Sequence, residues 1–110
     1  MNEELIKKLI AFREERNWGQ FHNPKDLAIS LSLEASELLE NFQWKTSEEA
    51  VSQKRADIAD ELADVLIYAV YLAQAMDLNI EETIENKMQK NAAKYPPDKA
   101  YGKMTKYTEL

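Results

Sequence analysis

The chain has 110 residues, 45% of them hydrophobic, with 14 Lys and Arg against 20 Asp and Glu for a net charge of −6. This fits one domain with a modest core, and the lack of Cys rules out disulfides and thiolate metal sites. The acidic balance argues against binding a nucleic-acid polymer, and no apolar run is long enough to cross a bilayer. The N-terminus MNEELIKKLI also lacks the layout of a signal peptide. The expected setting is therefore cytoplasmic, with no membrane partner.

Taken in chain order, the pattern predicts an all-α protein. A first helix is expected from about Glu3 to Arg16, striped by Leu5, Ile6, Leu9, Ile10 and Phe12. Asn17, Trp18 and Gly19 break it and open an aromatic loop, NWGQFHNP. Asn23 caps a second helix with Pro24 at its first position, where the missing N–H costs nothing. That helix should run to about Phe42 or Trp44, with Leu27, Leu31, Leu38 and Phe42 on its apolar side. Thr46 and Glu49 have capping-box spacing and start a further helical turn. This leads into the longest helix, from about Lys54 to Met76.

Asn79 with Glu82 signals another N-cap, for a last helix ending near Lys94 before Tyr95-Pro96-Pro97. Short connections between long helices favour an antiparallel four-helix bundle over residues 1–97, completed or extended by oligomerisation. Residues 98–110 form an irregular tail.

Two pairs of acids lie inside apolar helical sequence: Glu34 and Glu37 in LSLEASELLE, and Glu61 and Asp64 in DELADVLIY. Spacing of i,i+3 puts each pair on one helix face. Such acids are usually a solvated face, and Glu3 and Glu4 with Lys7 and Lys8 are a plain example. What separates the two pairs is their setting among Leu, Val and Ile, with no Lys or Arg at helical contact positions. Four carboxylates converging in a bundle repel one another, by about 4 kcal/mol for two unit charges at 4 Å and an effective dielectric near 20. A divalent cation relieves that repulsion. An all-oxygen ligand set suits Mg²⁺, with Mn²⁺ as the alternative. Helical di-iron sites use Glu-x-x-His pairs, and the one His here, His22, lies in the aromatic loop.

From about Arg16 to Tyr71, and again in KMQKNAAKYP and KYTEL, the sequence resembles the MazG-like all-α nucleotide pyrophosphohydrolases. The segments NWGQFH, FQWK and KYTEL point to the dCTP pyrophosphatase type. The resemblance implies that Glu34, Glu37, Glu61 and Asp64 ligate Mg²⁺. It also implies that Trp18 and Trp44 enclose the base, with Tyr68 and His22 in the substrate pocket. Lys87, Asn91, Lys94 and Tyr95 match a segment near the phosphates, with Lys87 and Lys94 able to stabilise the departing pyrophosphate. Ala92 and Ala93 stand where related enzymes can carry basic residues, and Leu9 where a pocket-lining His can occur.

The implied activity is Mg²⁺-dependent cleavage of dCTP or a related nucleotide to the monophosphate and pyrophosphate, with Glu34 or Glu37 orienting the water. A nucleotide-pool housecleaning role follows from the resemblance alone. The rival reading is a non-catalytic helical module of the same fold that binds nucleotide or protein. Relatives of this type assemble as dimers of dimers, so a homo-oligomer, dimer or tetramer, is expected.

Overall fold

Asn2 opens the first helix, its side-chain Oδ1 accepting the N–H of Glu4 at 2.7 Å. The computed structural model describes residues 1–110. In it α1 spans Glu3–Glu15 and is followed by a 3-10 turn over Trp18–Phe21. Asn17, at φ 54°, makes the left-handed corner between them. The second helix, α2, spans Pro24–Glu40, and Asn23 Oδ1 accepts the N–H of Asp26 at 2.9 Å.

The second helix stops short of the predicted Phe42–Trp44. Asn41, Phe42 and Gln43 continue as turns whose N–H groups reach back three residues, and Trp44 then takes φ 64°. Thr46 starts α3, Ser47–Ala75, accepting the N–H of Glu49 at 3.1 Å. The separate helical turn predicted before Lys54 is present as a kink within α3: Lys54 has φ −123° and ψ 22°.

The chain forms two compact units, Met1–Leu78 and Asn79–Leu110. In the first, α2 packs along α3, and α1 meets both the 3-10 turn and α3. The α2–α3 pair is antiparallel. Glu34 approaches Glu61 and Asp64, whereas Leu27 and Ser30, earlier on α2, share a pocket with Tyr68, later on α3. The core is thin. Leu27, Ala50, Val70 and Tyr71 are its buried apolar residues, and Arg13 is buried with them. Leu62 and Leu66 on α3, and Met76 just after it, are exposed in the single chain.

In the second unit, Asn79 Oδ1 accepts the N–H of Glu82 at 3.0 Å and opens α4, Ile80–Lys94. Tyr95 leaves helical conformation before Pro96, as the sequence predicts. The tail is less irregular than expected, carrying a one-turn helix α5, Pro97–Ala100, and a 3-10 turn at Tyr107–Glu109. The Tyr107 ring meets that of Tyr95 edge-on at 5.9 Å, with Lys94 Nζ 4.7 Å from its centroid. All the regular structure in the chain is helical, with no strand, as expected.

Candidate metal centre and adjoining pocket

Carboxylates from two helices meet between α2 and α3. One oxygen each from Glu34, Glu61 and Asp64 lie within 4.8 Å of one another, and all three residues are half-buried. Helical spacing turns Glu61 and Asp64 to one side of α3, and the antiparallel packing sets Glu34 opposite. Glu37 is exposed and outside this tight triad, yet close enough for its charge to act on both Glu34 and Glu61.

The electrostatics record the crowding. Loss of hydration, followed by the facing Glu37, Asp64 and Glu61 carboxyls, pushes the Glu34 pKa up to about 7. Glu61 is raised as well, by loss of hydration first and then by the Glu37 and Asp64 carboxyls, against a smaller lowering from the Glu34 side chain. No Lys or Arg contributes to either shift. Glu34 Oε2 and Glu61 Oε2 are moreover buried with no hydrogen-bond partner. Buried polar atoms are nearly always partnered, so two orphaned carboxylate oxygens in one cluster fit a divalent cation. The donor set is all oxygen, as hard ions such as Mg²⁺ require.

A cavity of about 360 Å³ adjoins the acids, lined by Trp18, Phe21, His22, Asp26, Leu27, Ser30 and Tyr68. Ser30 lies one turn before Glu34 on α2, and Tyr68 one turn after Asp64 on α3. Acids and pocket therefore share the same two helix faces. Phe12 holds the Trp18 ring edge-on at 5.9 Å, with the Arg16 guanidinium 5.8 Å away. His22, remote from the acids in sequence, reaches the pocket because the 3-10 turn folds back on α3. Its ring lies 5.1 Å from that of Tyr71 and 6.3 Å from that of Tyr68. Burial, reinforced by the Arg13 charge, lowers the His22 pKa, although Glu14 opposes this.

Of the residues singled out from sequence, Glu34, Glu61 and Asp64 come together with Glu37 beside them, and Trp18, His22 and Tyr68 share one pocket. Trp44 is not among the pocket-lining residues. It stands in the turn after α2, 93% exposed. In the second unit Lys87, Asn91 and Lys94 fall at i, i+4 and i+7 along α4, on one face, with Tyr95 at its end. Leu9, at the position where a His can occur, contributes its carbonyl to the Tyr71 hydroxyl at 2.8 Å.

Sequence reasoning passed over Phe21, Asp26, Ser30, Tyr71 and Arg13. The signal for Arg13 was available: with Ile6, Leu9 and Ile10 it completes the i, i+3, i+4, i+7 stripe of α1, so a charge sits at a core position.

The model of the MazG-like family matches residues 29–110. The human (Homo sapiens) protein dCTP pyrophosphatase 1 is 42% identical over 113 residues, covering 97% of this chain and 66% of the relative. Its mouse (Mus musculus) counterpart is 41% identical with the same coverage, so the chain spans 66% of the length of these relatives. The crystal structure of a pyrophosphatase from Archaeoglobus fulgidus DSM 4304 aligns with a TM-score of 0.81 at 43% identity, covering 86% of this chain and 91% of that one. The chain belongs to the MazG-like family.

Proposed function

We propose that this protein is a divalent-metal-dependent nucleoside triphosphate pyrophosphohydrolase. Water is consumed in breaking the link between the α- and β-phosphates of dCTP or a related nucleotide, which gives the monophosphate and pyrophosphate. The observation that carries the reading is the pair of orphaned oxygens, Glu34 Oε2 and Glu61 Oε2, in an acid cluster one helical turn from an aromatic-walled cavity. The similarity to dCTP pyrophosphatase 1 supports the choice of nucleotide.

Glu34, Glu61 and Asp64 are assigned as the metal-holding triad, with Glu37 completing the set. Mg²⁺ held there would neutralise triphosphate charge and acidify a water. Glu34 or Glu37 orients that water. Trp18, with Tyr68 and His22, walls the base, an aromatic enclosure suited to a flat heterocycle. Trp44 is assigned as the second wall. A bulky residue at φ 64°, with its indole almost wholly in water, holds a strained conformation without packing gain, which favours a binding role. Lys87, Asn91, Lys94 and Tyr95 are assigned to the phosphates, with Lys87 and Lys94 stabilising the leaving pyrophosphate.

Incubation with dCTP and Mg²⁺ followed by product separation should yield dCMP and pyrophosphate. dCDP with phosphate, or no turnover across a panel of dNTPs and NTPs, would overturn the assignment.

A homo-oligomer, dimer or tetramer, belongs to the same proposal. Leu33 and Leu39 on α2 are 60% and 69% exposed, and Leu62 and Leu66 on α3 are also uncovered, which is costly for a protein working alone. A monomeric mass by light scattering at micromolar concentration would contradict it.

A further inference from the structure

Arg13 is the only charged residue buried in the chain, at 6% exposure. It sits on the apolar stripe of α1 and is not among the residues lining the pocket. Burying a guanidinium is costly even when it is well paired, and a Met or Leu would fill the same position without that cost. The partners show what the charge achieves. Nη1 donates to Gln74 Oε1 at 2.8 Å, tying α1 to α3. Nε and Nη2 both approach Glu14 Oε1 at 3.0 Å. The guanidinium also lies 5.3 Å from the centroid of the Tyr71 ring.

This network touches the pocket wall at both of its ends. At Gly19, beside Trp18, a Cβ would fall 3.1 Å from Glu14 Oε1 and 3.6 Å from Arg13 Nε, so the 3-10 turn rests directly on the Arg13–Glu14 pair. At the other end the Tyr71 ring meets that of His22 at a tilt of 41° and is fixed by its bond to the Leu9 carbonyl. Trp18 and His22, two of the wall residues, are thus held from behind by groups that do not line the cavity.

We propose that Arg13 is a positioning residue for base recognition: through Glu14, Gln74 and Tyr71 it fixes the Trp18–His22 segment in the conformation that presents a preformed slot to the nucleobase. This rests on the reading that the cavity beside the acids takes the base of a nucleotide. Preorganisation of this kind acts on binding of the part recognised, not on the reacting centre.

The test compares the unsubstituted protein with Arg13→Met, Arg13→Lys and Gln74→Leu, each with dCTP and Mg²⁺. Inorganic tripolyphosphate serves as a competitive probe that carries phosphates but no base. Arg13→Met should raise KM for dCTP by about tenfold while kcat stays within about twofold and the tripolyphosphate inhibition constant is unchanged. Arg13→Lys should also raise KM, because an ammonium keeps the charge but not the planar fork, and Gln74→Leu should give a smaller rise of the same kind.

Unchanged KM in all three variants would overturn the proposal, as would KM and the tripolyphosphate constant moving together or a fall in kcat at constant KM. Should Arg13→Met lose its helical circular dichroism, Arg13→Lys and Gln74→Leu decide. No turnover by the unsubstituted protein would count against the reaction instead. The variants would then be ranked by equilibrium dialysis of dCMP, with weaker binding expected and equal binding fatal.

Discussion

The 1–78 unit withdraws charge from water in two places, and the two are built in opposite ways. Around Arg13 every guanidinium nitrogen has an oxygen to bond, from Gln74 or from Glu14, and an aromatic ring lies against its face. Around Glu34 and Glu61 the neighbours carry the same sign, and an oxygen on each residue has no partner at all. A satisfied buried charge holds other groups in place. An unsatisfied cluster is held in place by the fold and must be completed from outside, by protons or by a cation. The first is therefore read as support for a wall, and the second as a centre for chemistry.

The contrast is most directly broken at Asp64. Asp64→Asn keeps the size of the side chain but removes a charge from the cluster, and should lower turnover of dCTP by more than about 100-fold, since even indirect support of a metal ligand is worth about 10–100-fold. The metal-free protein should be no less stable than before, because repulsion has been relieved. Stabilisation by Mg²⁺, read as the rise in Tm on adding the ion, should largely disappear. Retained activity would mean that the acids are ordinary surface charge.

A subtler effect sharpens the same comparison through pH. The pKa of Glu34 is raised in the fold to about 7, and that of Glu61 is raised as well. Between the ordinary carboxylate range and pH 7 the folded state therefore holds more protons than the unfolded chain. In EDTA, stability should accordingly fall as pH rises from about 4.5 to about 7 and level off above that. Mg²⁺ should reverse the trend, stabilising more at pH 8 than at pH 5.5, because the ligands must be deprotonated to bind it. Urea denaturation midpoints at several pH values, with and without the ion, measure both arms. Stability that climbs with pH in EDTA would show that the cluster is not strained.

Local rules made much of this molecule readable beforehand. Asn23-Pro24, Thr46 and Asn79 marked helix starts because capping depends on residues within one turn of each other. The two acid pairs were legible for the same reason, as three-residue spacing fixes a shared face. The end of α2 was less so. Residues 41–44 have helical character but form turns that tighten by one residue per hydrogen bond, and nothing short-range marks that change. The stripe of α1 marks Arg13 as a charge at a core position but not its partner, since Gln74 lies 61 residues away, just as Tyr71 lies 62 residues from Leu9. Likewise, the pocket position of His22 depends on how the 3-10 turn returns to α3, which no periodicity encodes. The exposure of Leu62 and Leu66 was not legible either, because one chain's periodicity cannot distinguish an uncovered apolar face from its own core.

The two indoles occupy unlike surroundings. Trp44 projects from its turn into water, whereas Trp18 leans on Phe12 beneath Arg16 at the mouth of the cavity. An indole bathed in solvent emits at longer wavelength and is open to collisional quenchers, and one shielded by packed rings is less so. The chain thus carries two intrinsic optical reporters with separable signals. A base enclosed by both would shift the two signals from different starting points, the Trp44 emission by the larger amount.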